Sequence, residues 1–369
     1  ELNDRVQSAI PKADRLLAAC GARAGSGRET TLLLEDDPVD VFVEASTAIT
    51  AATETARVAV RTGAHVVWMN AEADLAFGQL VAREAAEAGL VATSDAGDQH
   101  GVLARLLDET ELWGWETVQA GNIKGFLDRA ATPAGLAAEA AKRRLDPRAC
   151  CAYTDGTKLA IEMALIGNAR DLRTPSDGMR GPRAKTVEEA LDLFDLEAAR
   201  GRPEVDYLLG ARPGGGVYVI GYQEDPGERF LLDYYKLGPG PFYLHYRPCH
   251  LCHVETPYAI ALAALDGRAV LSPGAEKARA NDVFAVAKVD LQSGEALVHG
   301  IGSPLVRGEL RQIEPGDTRL PVWMFHDAPG AVVRKKVPAG AFLTHDDVDI
   351  LHPALTTLLA AQEVSSPRE

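Results

Sequence analysis

The sequence is poor in sulfur and has no excess of positive charge. Five cysteines (Cys20, Cys150, Cys151, Cys249 and Cys252) are spread over 369 residues. So sparse and odd a set excludes a disulfide framework and suits a reducing cytoplasm. A formal net charge of −15 excludes non-specific nucleic-acid binding and adhesion to an anionic membrane surface. It leaves room for a small anionic substrate, because a site sets its own local field. No apolar run is long enough to span a bilayer, and residues 1–30 do not read as a signal peptide. A glycine-rich phosphate-binding turn after an opening strand is also missing: Gly25-Ser26-Gly27 follows no strand and reads as a loop.

What is present is an ordinary globular composition, 46% hydrophobic and 25% charged, long enough for two or three domains with their own cores. Residues 39–46, 65–70 and 90–95 are short β-branched strand signals, and 116–121 reads as a fourth. Helical patterns at 51–62, 75–88 and 99–113 lie between them. Such alternation predicts βαβ units and a parallel sheet, whose ligands bind at the carboxyl ends of the strands. Residues 1–5 then read as the end of a second strand, with a helix over 6–19, so the first strand and its glycine turn are expected upstream of residue 1. Farther on, residues 126–160 and 186–200 read as helical. Residues 207–210, 216–221, 230–237 and 242–246 read as strands of an open antiparallel sheet, 256–265 as a helix, and the chain from 281 as a compact β-rich tail.

Chemistry-bearing residues gather at the predicted strand ends. Ser46 and Thr47, then Asn70 and Glu72, then Gly97 and Asp98 form a polar rim suited to a cofactor, although Asn70 and Asp98 read equally well as helix caps. Asn122 and Lys124, between glycines at the next strand end, offer donors to an anion. Asp155 and Lys158 open an apolar helical run, three positions apart and so on one face. Alone they read as a capping acid and a solvated lysine. After a parallel sheet with a polar rim they read as a proton-transfer couple. Cys249-His250-Leu251-Cys252-His253 has metal-binding residue types, but no second pair completes a structural zinc site, and four adjacent residues would strain to converge on one ion. The expectation is packed cysteines, with His250, His253 and Arg247 facing substrate. A divalent cation on carboxylates such as Glu72 or Glu255 is also allowed.

Residues 39–70 and 146–158 resemble homoserine dehydrogenase, in which a catalytic aspartate and lysine follow an aspartate-proline step, here Asp146-Pro147. The gap between Asp155 and Lys158 is one residue shorter than in that family. Asn70-Ala-Glu-Ala-Asp74, Gly97-Asp-Gln99, Gly121-Asn-Ile-Lys-Gly-Phe126, Tyr153-Thr-Asp-Gly-Thr-Lys158 and His250-Leu-Cys-His-Val-Glu-Thr-Pro257 look closer to a branch that ends in a SAF domain. Val337-Pro-Ala-Gly340 and Thr344-His-Asp-Asp-Val348 resemble that domain. The best-understood branch is the deoxyxylulose-phosphate reductoisomerase-like enzymes.

The resemblance implies an α/β chain with three parts. Residues 1–122 would be a Rossmann-type dinucleotide-binding domain incomplete at its start, 123–280 an α+β catalytic and oligomerisation domain, and 281–369 a SAF-like β-rich domain. The implied activity is that of an NAD(P)-dependent oxidoreductase, cytoplasmic and homodimeric, acting on a small polar carbonyl or hydroxyl compound. Alternatives are a homoserine-type dehydrogenase, a sugar-acid oxidoisomerase, or a non-catalytic sugar-binding or regulatory protein. In the expected roles, Lys158 stabilises an alkoxide and donates a proton, Asp155 orients Lys158 and keeps it charged, and Lys124 and Arg247 hold an anionic group. Arg5 beside a 2′-phosphate would favour NADP(H) over NAD(H), whereas Asp4 would take the ribose hydroxyls of NAD.

Overall fold

In the computed structural model, which describes residues 28–36, 39–274, 278–328 and 330–364, three short strands pair in parallel with their carboxyl ends level. A helix α1 (Arg28–Asp36) leads into β1 (Val41–Glu44), α2 (Thr50–Arg61), β2 (His65–Trp68), α3 (Ala71–Glu87) and β3 (Ala92–Ser94). Glu44, Trp68 and Ser94 are register partners, so the loops after all three strands emerge at one edge. The helices bury small residues, Ala52, Ala56 and Ala59 on α2 and Ala73, Val81 and Ala85 on α3, which lets them sit close to one another and to the sheet. The expected residues Asp4 and Arg5, the helix over 6–19 and the loop at 25–27 lie outside the described residues.

The chain then leaves this sheet. After α4 (Gln99–Leu112), strand β4 (Glu116–Lys124) does not extend the parallel layer as expected. Three helices follow, α5 (Ala137–Arg143), α6 (Pro147–Asp155) and α7 (Thr157–Arg170). Strands β5 (Glu204–Leu209) and β6 (Val217–Tyr222), helix α8 (Pro226–Tyr234) and strand β7 (Phe242–Arg247) complete a second sheet in the order β5-β4-β6-β7. It is mixed rather than antiparallel, since β4 pairs parallel with β5 and antiparallel with β6. Two further expectations are corrected here. Residues 230–237 are not a strand: Asp225 caps a helix start by accepting from Gly227 and Glu228 N–H at 2.8 and 2.9 Å, and Pro226 fits the first helical turn. Residues 186–200 are not one helix but short turns broken at Phe194, whose backbone is extended.

After α9 (Thr256–Asp266), the tail forms two hairpin-like pairs, β8 (Asn281–Ala287) with β9 (Val306–Gln312) and β10 (Ala331–Val333) with β11 (Val348–Ile350), and ends in α10 (Pro353–Val364). One continuous core joins Val283, Val306, Trp323 and Leu343 of the tail to Phe77, Leu103 and Ile161 of α3, α4 and α7. Among the described residues no helix is long and apolar enough to cross a membrane.

A buried charge pair fastens the tail to the start of α7. Lys288, just after β8, donates to Asp155 at 2.8 Å and to the carbonyls of Ala131 and Ser303, each at 2.7 Å. Both side chains are almost wholly excluded from solvent. Asp155 also accepts from Thr157 N–H at 2.9 Å, and Thr157 Oγ1 accepts from Gly308 N–H of β9 at 2.8 Å. Between them Gly156, at φ 92, makes the left-handed step that ends α6 and starts α7. Removing one member of a buried pair leaves the other charge uncompensated, at a cost of about 3–5 kcal/mol. Lys288→Met should therefore lower stability by that order in denaturant unfolding, and adding Asp155→Asn should recover most of the loss. A Lys288→Met chain as stable as its parent would refute this role.

Candidate active site

Asp155 and Lys158 are not a couple. The helix break at Gly156 turns them apart: Asp155 is bound to Lys288, and among the described residues no ion pair joins it to Lys158. Lys158 instead places Nζ 3.5 Å from Glu72 Oε1 of α3 and 3.4 Å from Asp98 Oδ2 at the start of α4. It is only 7% exposed. Burial and the helix N-terminus both disfavour its charge, the helix by about 0.3–1 kcal/mol. A partly buried pair at this separation contributes on the order of 4 kcal/mol of gross attraction, and there are two such pairs. The carboxylates win: although burial pulls the other way, Glu72, Asp98 and Glu162 raise the Lys158 ammonium well above its usual range.

Around this ammonium lie Asp98, Gln99 and His100 of the α4 start, Asn122 and Lys124 of β4, Tyr153 of α6 and Glu162 of α7. Asp98 stays ionised, because Lys158, His100 and the Gln99 N–H outweigh the effect of its burial. Glu162 behaves oppositely. Burial and the nearby Asp98 push its carboxyl well above the usual range, against the pull of Lys158 and Lys124. Asn122, wholly buried, donates to Gln99 Oε1 and lies 3.5 Å from Glu162 Oε2. Lys124 is half-buried rather than exposed, and desolvation lowers its pKa against the pull of Glu162 and Asp98. His100 is buried, neither ring nitrogen makes a hydrogen bond to the described residues although Nδ1 lies 4.0 Å from Asp98 Oδ2, and burial lowers its pKa.

Of the other rim residues, Asn70 and Asp98 act as the helix caps that were one of their two expected readings. Asn70 caps α3 through an Ala73 N–H at 3.0 Å and donates to Ala48 O at 2.6 Å, so its amide is spent on structure. Gly97 is required by packing, since a Cβ there would lie 2.5 Å from Leu251 O. Asp98 both caps α4, accepting from Gln99 N–H at 2.9 Å, and pairs with Lys158. Ser46 and Thr47 remain exposed at the end of β1. Arg247 is paired with Glu255 at 2.8 Å, which Arg105 also holds at 2.7 Å, so part of its charge is already offset. Glu72 and Glu255, named as carboxylates for a cation, are both committed to lysine or arginine. His253 is exposed, at φ 68, and turns away after Cys252.

His250 does reach the site. Its Nδ1 lies 3.5 Å from Cys252 Sγ, which lies 3.7 Å from Asp98 Oδ1, and the three residues offer oxygen, nitrogen and sulfur atoms within 4.8 Å of one another. Glu162, His100 and Cys252 are the functional candidates that sequence reading missed. A glutamate inside the apolar run 159–166, four residues after Lys158, was the available signal for the first.

Residues 97–256 match the model of the catalytic domain of the oxidoreductase DRL, a span that contains Asp98, Asn122, Lys124, Lys158, Glu162, His250 and Cys252. No curated protein is significantly similar in sequence. Among solved structures, the chain is similar to a protein described as a probable dehydrogenase from Thermotoga maritima, at 10% identity over 70% of this chain and 79% of that one, with a TM-score of 0.37. It is also similar to a candidate myo-inositol dehydrogenase from Sinorhizobium meliloti 1021, at 10% identity over 71% and 80% of the two chains, with a TM-score of 0.34. Residues 97–256 are thus similar to an oxidoreductase catalytic domain.

Asp74, one turn into α3, gives the site a pH signature. Burial pushes its carboxyl from 3.8 up to about 7, against a Ser94 hydrogen bond of 2.5 Å and the charge of Lys158. The folded form binds this proton more tightly than the unfolded form. Its contribution to stability is thus complete below about pH 4 and is lost as pH rises through about 7. Asp74→Asn cannot ionise. Relative to this variant, the parent should lose up to about 4 kcal/mol between pH 4 and pH 8 in denaturant unfolding. Identical pH dependence in the two chains would show that Asp74 is ionised throughout.

Proposed function

We propose that the protein is an NAD(P)H-dependent oxidoreductase of a small polar carbonyl or hydroxyl compound, with Lys158 as its central catalytic group. The observation that carries this reading is a buried ammonium, held charged by Glu72 and Asp98, beside the level carboxyl ends of a parallel sheet. The match of residues 97–256 to an oxidoreductase catalytic domain supports it. The donor set fits a nicotinamide cofactor: Ser46 and Thr47 stand exposed at the end of β1, on the edge that leads to Glu72 and Asp98. NADP(H) is favoured over NAD(H) on the strength of Arg5, which lies outside the described residues.

The nicotinamide, when bound, supplies the hydride. The protein's part is electrostatic. Lys158 faces the substrate oxygen and stabilises the negative charge that develops there. Because Glu72 and Asp98 hold its proton firmly, it is a poor proton donor, and that role passes to Lys124, whose ammonium burial weakens. Glu162, whose carboxyl burial pushes up, interacts with Lys124 in the same cluster. The finer assignment is reductoisomerisation of a phosphosugar such as deoxyxylulose 5-phosphate. The homoserine-type alternative draws on an aspartate–lysine couple, and here Asp155 is committed to Lys288.

Nicotinamide absorbance followed with NADPH and NADH across phosphosugars, sugar acids and homoserine tests the reaction class. Turnover with at least one compound is expected. Lys158→Ala should lower kcat by roughly a hundredfold or more while cofactor affinity changes little. Full turnover in that variant would sink the mechanism, and no nicotinamide oxidation with any compound would favour the non-catalytic alternative.

A further inference from the structure

We infer that Asp98, His250 and Cys252 form a three-ligand site for a borderline divalent cation of the zinc type, immediately beside Lys158. The two sulfur separations are close to those a tetrahedral ion requires, and all three ligand atoms lie within 4.8 Å of one another. With metal–sulfur bonds near 2.3 Å and metal–nitrogen or metal–oxygen bonds of about 2.0–2.2 Å, ligand atoms at tetrahedral angles lie about 3.4–3.6 Å apart. Cys252 Sγ is 3.5 Å from His250 Nδ1 and 3.7 Å from Asp98 Oδ1. One sulfur, one nitrogen and one oxygen favour zinc or cobalt over magnesium, which takes oxygen ligands.

The surroundings look built to hold these three side chains. Asp98 divides its carboxylate, with Oδ1 toward Cys252 and Oδ2 3.4 Å from Lys158. Its position is set by the cap on α4 and by Asp95, whose Oδ2 accepts the Gly97 and Asp98 N–H groups at 2.9 and 3.0 Å. The opposing turn is braced by Glu255, which accepts from Leu251 N–H at 3.1 Å and is itself clamped by Arg105 and Arg247. Gly97 lets the two segments close, because any Cβ there would strike the Leu251 carbonyl. Such outer partners are what fix ligand geometry before an ion arrives. Three protein ligands leave a fourth position for water or substrate, the arrangement of catalytic rather than structural zinc. On the oxidoreductase reading, that position lies where a substrate oxygen would meet Lys158. The binding site itself does not depend on that reading.

The test is cobalt titration of the whole chain after chelator treatment, with no nicotinamide or substrate present. One equivalent of Co²⁺ should produce a sulfur-to-cobalt charge-transfer band in the near ultraviolet. Cys252→Ser should abolish the band and His250→Ala should weaken cobalt affinity at least tenfold. Cys249→Ser, which alters an exposed cysteine outside the cluster, should leave both unchanged. If Cys252→Ser fails to fold, protection of Cys252 from alkylation by stoichiometric Zn²⁺ in the parent chain serves in its place. Absence of the band and of protection, or a band indifferent to both Cys252→Ser and His250→Ala, overturns the proposal. Because the readout needs no turnover, cobalt binding without nicotinamide oxidation would discard the reaction and keep the site.

Discussion

Holding Lys158 charged while excluding it from water is the constraint on which the rest of the arrangement depends. A lone buried ammonium would lose its proton, and a helix N-terminus makes the placement worse. Two carboxylates from two other helices answer this, Glu72 from the first turn of α3 and Asp98 from the cap of α4. Both helices follow strands of the parallel sheet, so the level ends of β2 and β3 are what bring the two acids to one point. The sheet thus acts on the chemistry by positioning counter-charges around a lysine that belongs to a different part of the fold.

Supplying those acids creates a second problem. Glu72, Asp98 and Glu162 together outnumber Lys158, and Lys124 offsets the difference only in part because burial weakens its own charge. The two acids are driven apart: burial and Asp98 push the Glu162 carboxyl up, whereas Lys158, His100 and a backbone N–H bring that of Asp98 down against its burial. A divalent cation on Asp98 would relieve the same excess by another route, so the charge balance and the ligand geometry point to the same residue.

The sequence was most legible where a pattern is local. The three strand–helix repeats, with helices starting at Thr50, Ala71 and Gln99, follow from apolar periodicity and from caps such as Asn70 and Asp98. The sequence was least legible where a partner is distant. β4 has the same β-branched look as its predecessors, yet it pairs with β5 and β6, and nothing local distinguishes the two sheets. Asp155 and Lys158 share a helical spacing on paper, but Gly156 breaks that helix, and the partner of Asp155 lies in the tail at Lys288. Nothing in the sequence around Cys252 shows a further donor, because no second Cys or His pair follows it. The missing donor, Asp98, is supplied by a segment 154 positions away in the chain.

The tail has a part in this arrangement as well. Lys288 holds Asp155, Asp155 holds the Thr157 N–H, and Gly308 of β9 donates to the Thr157 hydroxyl, one residue before Lys158. The first turn of α7 is therefore fixed from the tail side by one buried ion pair and two hydrogen bonds, while its Lys158 is drawn from the other side by Glu72 and Asp98. A core shared by α3, α4, α7, β8 and β9 makes the two sides one packed unit, in which small shifts propagate because dense interiors do not deform freely. Displacing the tail would move the start of α7, and with it the ammonium, relative to both acids. The β-rich end of the chain is in this sense a positioning element of the site.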